Sequence, residues 1–103
     1  MRKKRSDRNY VLYFVQCEET GDQYIGLTVS QGRAYLKTVA LRWRKHVKRA
    51  MNDGKDWKFC SFLRKNAELS YVYGVIEVVR GRKAAYSRER ELIAEFNPSL
   101  NTF

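Results

Sequence analysis

The amino-acid sequence predicts a single α+β domain, in which helices flank a small three-stranded antiparallel sheet in the order β-β-α-α-β-α. Two runs rich in β-branched and aromatic residues open the chain, two segments with helical spacing of apolar residues follow, and a third β-rich run precedes a last helical segment. A chain of 103 residues is long enough for one modest core. Residues 1–9 are polar and basic, so we expect a disordered arm followed by one domain at 10–103.

The β-rich runs predict a hairpin and a third strand. Residues 10–17 are almost continuously apolar, which is typical of a strand buried on both faces. A short connection containing Gly21 leads to the second run, residues 23–29, at hairpin distance. Residues 69–79 are predicted to form the third strand, where Gly74 indicates a bulge or a close approach of another group.

The first helix is predicted from about Thr38, because apolar residues then recur at near-helical spacing while basic residues take the other faces. The weakly patterned residues 30–38 are expected to be irregular or partly helical. The sequence 52–54 (Asn-Asp-Gly) should end the first helix, and Asp56 is a plausible N-cap for a short second helix over residues 57–65.

The last helix is predicted over residues 84–96 and should stop before Pro98, because proline cannot continue a helix. Four of its residues are expected to face the core: Tyr86, Leu92, Ile93 and Phe96.

Charge and cysteine content limit the class of protein. The chain has 21 Lys and Arg against 11 Asp and Glu, a net charge of +10, which favours a polyanionic partner such as nucleic acid. A structural RNA-binding protein fits this charge equally well. Cys17 and Cys60 are too few for a disulfide framework and predict reduced core residues of an intracellular protein. No apolar stretch is long enough for a membrane span, and the basic start lacks the apolar segment of a secretory signal.

Two tyrosine-containing segments lie on the predicted hairpin: residues 11–13 (Val-Leu-Tyr) and 24–26 (Tyr-Ile-Gly). Arg42 and His46 lie four residues apart on the first helix, and Glu89 lies on the last. Taken singly, each side chain has a common structural explanation, such as a core tyrosine or a solvated basic face. Their joint order is more specific, and it resembles the active site of the GIY-YIG nuclease family.

The family is named for two tripeptides on its first hairpin, and this chain matches the second in full. In the first, Val-Leu replaces Gly-Ile while Tyr13 is kept. The family also has an arginine followed four residues later by His or Tyr, and a glutamate four residues before an apolar residue, here Ile93. The long connection at residues 30–38 departs from many relatives. It is either a DNA-contacting insertion, with Arg33, Tyr35 and Lys37, or a variable surface loop.

The resemblance implies a metal-dependent DNA endonuclease that leaves 5′-phosphate and 3′-hydroxyl ends. Its implied catalytic residues are Tyr13, Tyr24, Arg42, His46 and Glu89. Glu89 would hold one Mg²⁺ or Mn²⁺ ion, with Glu91 as the rival ligand, and Arg42 would bind the scissile phosphate. Tyr13 is the candidate general base, made more acidic by the metal and Arg42, while Tyr24 and His46 orient it. The sequence does not divide the work of the base among these three.

Further residues are expected to contact nucleic acid: Gly26, Arg33, Lys37, Arg44, Lys45, Lys48, Arg49 and Asn101. Most would bind phosphates, so affinity should depend strongly on salt and weakly on sequence. Gly26 would let the backbone approach the phosphate, and Asn101 would tie the C-terminal loop to the site. No separate DNA-reading module fits after Phe103, so we expect recognition of a DNA structure (duplex or branched), a homodimer or a specificity partner.

Two other classes of protein remain open at this stage. One is a catalytically silent nucleic-acid-binding module on the same fold. The other is a small RNA-binding protein that stacks bases on Trp43, Trp57 and Tyr35. Small size and high basic charge favour a phage or mobile-element nuclease of the homing type, acting inside the cell.

Overall fold

The computed structural model describes residues 8–30, 32–52 and 58–101. The elements, in chain order, are β1 (Asn9–Cys17), β2 (Gln23–Val29), α1 (Tyr35–Asn52), α2 (Lys58–Lys65), β3 (Tyr71–Arg80) and α3 (Arg82–Phe96). The predicted α+β class and the order β-β-α-α-β-α are therefore confirmed. None of the helices in these ranges has both the length and the apolar character needed to cross a bilayer.

β1 is the central strand of the sheet, with β2 and β3 antiparallel on either side of it. Tyr13 of β1 faces Gly26 of β2. The register between β1 and β3 shifts between Leu12 and Tyr13, which leaves Ile76 as the extra residue of a bulge. Gly74 lies opposite Phe14, whose ring is 2.9 Å from the place of an added Cβ. The expected close approach is thus at Gly74, and the bulge is two residues later.

Each face of the sheet has its own small core. On one face α1 and α2 cover alternate residues of β1: Val11, Tyr13 and Val15. On the other face Leu92 of α3 packs against Leu12 and Ile25. Both faces of β1 are therefore buried, as its continuous apolar run predicts. Cys17 and Cys60 are buried and are not joined in a disulfide.

The helix boundaries differ from the predicted ones at the start of α1. The helix begins at Tyr35, about one turn earlier than expected, and the Thr38 hydroxyl donates a hydrogen bond to the Ala34 carbonyl. The irregular connection is therefore shorter than predicted, and Tyr35 and Lys37 lie in the first turn of α1. The second helix begins at Lys58, and the proposed N-cap Asp56 lies outside the described residues.

The inward face predicted for α3 is correct for Leu92 but wrong for Tyr86 and Phe96, which are 45% and 55% exposed. The buried stripe runs through Ala85 and Leu92, seven residues or about two turns apart. Tyr86 follows Ala85 directly, so it lies about 100° round the helix from that stripe.

The segment after α3 is bound to β2. Asn97 takes the left-handed conformation, with φ of 46°, and ends the helix. The backbone N–H of Leu100 then donates to the Gln23 carbonyl at 2.8 Å. The buried Asn101 side chain accepts a hydrogen bond from the Ile25 N–H at 2.9 Å and donates one to the Ile25 carbonyl at 2.8 Å. Asn101 thereby substitutes for a neighbouring strand beside β2.

Replacing Asn101 by alanine should lower the free energy of unfolding by about 2–4 kcal/mol, because two buried backbone groups of Ile25 lose their partner. Urea denaturation measures this change. Ser99→Ala is the matched control, since Ser99 makes its hydrogen bonds at the surface, and it should cost less than about 1 kcal/mol. Equal losses in the two variants would contradict the structural role given to Asn101.

Candidate active site

A hydrogen bond joins the sheet to α1 at the centre of the candidate site. The Tyr13 hydroxyl lies 2.8 Å from Nε2 of His46, and both side chains are buried. Tyr24 completes the group, with its ring centroid 6.2 Å from that of Tyr13 and 5.3 Å from that of His46. The fold thus brings Tyr13 and His46, which are 33 positions apart in sequence, within hydrogen-bonding distance.

Gly26 provides the space that these rings occupy. A Cβ at this position would lie 2.5 Å from both Cζ and Oη of Tyr13, and 2.8 Å from the Tyr24 ring. Any larger residue would push the Tyr13 hydroxyl away from His46. The structure gives Gly26 this packing role, while the predicted approach of its backbone to a phosphate stays a prediction.

Burial controls the protonation states of the site. It raises the pKa of Tyr13 far above its usual value, with the nearby Tyr24 adding to the rise, and the opposing effect of Arg42 is smaller. Burial also raises the pKa of Tyr24. The pKa of His46 is lowered from 6.5 to about 4, first by burial and then by the charges of Arg42 and Arg49. At neutral pH the Tyr13 phenol is therefore protonated and His46 is neutral.

Arg42 has an unsatisfied donor. Its Nε is buried, and within the described residues no acceptor makes a hydrogen bond to it. A buried donor without an acceptor is costly, and an incoming anion would remove that cost. Arg42 also lines three concave surfaces, which meet at its side chain.

Two of these surfaces contain residues predicted from the sequence. The first, the tyrosine cleft, has a volume of about 260 Å³ and is lined by Tyr24, Arg42, His46, Arg49, Phe59, Cys60, Leu100 and Asn101. The second, the lysine groove, has a volume of about 350 Å³ and is lined by Thr28, Val29, Thr38, Leu41, Arg42, Arg44, Lys45 and Lys48. A phosphate backbone lying in the groove would meet four cations.

Glu89 reaches the site from α3. Its carboxylate is close enough to raise the pKa of the Tyr24 phenol. It is half-buried, and none of the described residues gives it a hydrogen bond or an ion pair. Burial raises the pKa of Glu89 accordingly. The rival carboxylate, Glu91, is exposed and bound to Arg88 at 2.9 Å, so Glu89 is the carboxylate left without a partner.

The donor set fits a hard divalent cation held by one protein carboxylate. Mg²⁺ commonly binds through one or two carboxylates and keeps waters and substrate oxygens as its other ligands. A cation would also relieve the cost of burying the Glu89 charge. Within the described residues there is no group of three or more His, Cys, Asp and Glu side chains that could enclose a metal.

Three further residues were predicted to contact nucleic acid, and two of them lie apart from this centre. Arg33 and Lys37 are exposed at the start of α1, outside the residues that line the lysine groove. Asn101 lies in the wall of the tyrosine cleft, where its amide oxygen and its amide nitrogen are both hydrogen-bonded to the Ile25 backbone. Contact of these three residues with nucleic acid remains a prediction.

The third surface is lined in part by Arg8, Arg82 and Tyr86, which are not among the site residues that the sequence predicts. The basic arm and residues 80–90 are expected to contact phosphate, but their sequence does not show that they form one pocket. The sequence predicts Tyr86 in the core and Arg8 in the disordered arm. Only the tertiary fold brings the start of β1 to the start of α3.

The lowered pKa of His46 predicts a pH-dependent stability. Between pH 6.5 and about 4 the folded protein holds fewer protons on this residue than the unfolded chain, so stability is complete above 6.5 and falls towards 4. The wild type should therefore lose about 3 kcal/mol more unfolding free energy over this interval than His46→Gln. Urea denaturation at several pH values measures the difference. His46 is the only histidine, and parallel curves for the two proteins would contradict its buried neutral state.

No protein-family model, curated protein or solved structure matched this chain. The resemblance found in the sequence therefore stays a prediction. The function has to be argued from the charges, hydrogen bonds and clefts of the site itself.

Proposed function

We propose that this protein is a metal-dependent endonuclease with a GIY-YIG nuclease domain, which hydrolyses DNA phosphodiester bonds to 5′-phosphate and 3′-hydroxyl ends. The observation that carries the proposal is the convergence of the five predicted catalytic residues. They come from β1, β2, α1 and α3, and they combine a tyrosine–histidine hydrogen bond with an unsatisfied arginine and an unpaired carboxylate.

Arg42 is the proposed ligand of the scissile phosphate. Its planar guanidinium suits a phosphate better than a lysine ammonium does, because two donors can bind two oxygens. The buried Nε lacks an acceptor, and a phosphate oxygen would provide one. Arg42 would also stabilise the charge that grows on the phosphoryl oxygens as the water attacks.

Tyr13 and His46 form the proposed path of the proton. Neutral His46 can carry its own proton on Nδ1 and accept the Tyr13 hydroxyl proton on Nε2. The freed lone pair of Tyr13 then takes a proton from the attacking water, whose oxygen bonds to phosphorus while the bond to the 3′ oxygen breaks. The 3′ oxygen takes a proton from solvent water to become the hydroxyl, and His46 gives its extra proton back to the solvent. This division avoids a free phenolate, which the raised pKa of Tyr13 opposes. The lowered pKa of His46 opposes its protonation, and a phosphate anion bound by Arg42 would offset part of the positive charge that lowers it. Tyr24 packs against both partners and holds their orientation.

Glu89 is the proposed protein ligand of one Mg²⁺ or Mn²⁺ ion. When bound, the ion would neutralise charge on the phosphoryl oxygens and favour departure of the 3′ oxygen. Because a single carboxylate holds such an ion weakly, we expect full binding only when DNA supplies further oxygens.

The alternatives explain fewer of these features. Trp43 and Tyr35 are partly buried and pack against the core cluster beneath α1, which leaves less of each ring free to stack a base, and Trp57 lies outside the described residues. A silent binding module would need surface cations, but it would not need a buried arginine donor and an unpaired carboxylate that both act on the same tyrosine. The proposed setting is a phage or mobile element inside a cell, with a homodimer or a partner protein supplying specificity.

Replacing Glu89 by glutamine should abolish cleavage while binding is kept. Wild-type protein should nick or linearise supercoiled plasmid with Mg²⁺ or Mn²⁺ but not with EDTA, and Glu89→Gln should be slower by about 10²-fold or more. Its melting temperature in EDTA should be higher than that of the wild type, because the burial cost of a charge is removed. Plasmid electrophoresis and thermal denaturation measure the two effects.

Glu91→Gln is the matched control, since it removes a carboxylate that Arg88 binds at the surface of the same helix. It should cut like the wild type. If the wild type binds plasmid but cuts with neither metal, or if both variants cut equally well, the proposed function is wrong.

A further inference from the structure

The third surface that meets Arg42 is a basic pocket away from the tyrosines. It has a volume of about 300 Å³ and is lined by Arg8, Tyr10, Leu27, Thr28, Val29, Arg42, Arg82 and Tyr86. Three arginines and no carboxylate take part in the lining. Such a pocket suits one or two phosphate groups, and through Arg42 it is continuous with the candidate active site.

Tyr86 gives the pocket an aromatic surface. It is 45% exposed and contributes little to the core below α3. The Arg82 guanidinium carbon lies 5.6 Å from the centroid of the Tyr86 ring. An exposed ring beside arginines is the combination on which proteins stack the bases of single-stranded nucleic acid. A base inside a duplex is already stacked on both faces, so the ligand must be unpaired.

The walls of the pocket are held in place by backbone hydrogen bonds. The Gly81 N–H donates to the Arg8 carbonyl at 3.0 Å, which fixes Arg8 next to the start of α3. The Ser30 N–H donates to the Asn9 carbonyl at 2.8 Å and fixes the end of β2. The arginines and Tyr86 are therefore carried on ordered backbone.

We propose that this pocket binds an unpaired nucleotide of the DNA substrate, next to the phosphate held by Arg42. Its base stacks on Tyr86, and its phosphates are bound by Arg8 and Arg82. The inference rests on the proposed function in taking DNA as the ligand, and it names the substrate class as DNA with unpaired nucleotides beside a duplex. The lysine groove on the other side of Arg42 then binds the duplex backbone.

The test compares the dissociation constants of labelled DNA duplexes with a short 5′ tail, with a 3′ tail and with blunt ends, measured by fluorescence anisotropy in EDTA. The wild type should prefer one tailed duplex over the blunt one. Tyr86→Ser should reduce that preference by about 5- to 150-fold, the range expected for one base stacked on an aromatic ring. Tyr86→Phe keeps the ring and should keep the preference.

Arg90→Ala is the charge control, because Arg90 is exposed on the same helix and does not line the pocket. It should leave the ratio of the two dissociation constants unchanged, whereas Arg82→Ala should lower it. Equal binding of tailed and blunt DNA by the wild type or an unchanged ratio in Tyr86→Ser would overturn the inference. So would tighter binding of the same duplex when its tail is made of RNA.

The binding test is independent of cleavage. If the protein prefers tailed DNA but never cuts with Mg²⁺ or Mn²⁺, the binding pocket is supported and the proposed nuclease activity is wrong. If the protein cuts but has no preference for tails, the nuclease activity is supported and the binding pocket is wrong.

Discussion

The pairing of Tyr13 with Gly26 is the constraint on which the site depends. Since the glycine has no side chain, the Tyr13 ring can lie across β2 with its hydroxyl directed at α1. A shift of one residue in the hairpin register would turn Tyr13 to the other face of the sheet. His46 would then lose its partner, and the tyrosine cleft would have a different wall. Asn101 supports the same register from outside, by binding the backbone of Ile25.

The site contains polar groups that destabilise the fold. The Arg42 Nε is buried without an acceptor, the Glu89 carboxylate is half-buried without a cation, and His46 is kept neutral. Packing alone does not require any of them, and burying apolar residues of similar size would cost less free energy. A polyanion and a metal ion would satisfy the first two groups together. The destabilising groups lie where the proposed chemistry takes place, as expected for a preorganised site.

Local patterns were sufficient for the fold class and for most elements. The continuous apolar run of β1, the hairpin spacing and the helical periodicity of α1 each depend on neighbours in sequence. The predictions for the start of α1 and for the burial of Tyr86 and Phe96 were wrong, because packing between distant elements decides both. The order of polar residues predicted five side chains that lie near one another in the structure. The ring packing on Gly26 and the protonation of Tyr13 depend on tertiary distances that no local pattern contains.

The central claim is that the Tyr13 hydroxyl takes part in the chemistry through His46. The single-turnover cleavage rate of Tyr13→Phe tests it most directly, because this change removes one oxygen and keeps the ring that fills the space over Gly26. We expect a rate lower than that of the wild type by about 10²- to 10⁴-fold, with unchanged DNA affinity. Cleavage by Tyr13→Phe at the wild-type rate would show that the Tyr13 hydroxyl takes no part in the chemistry.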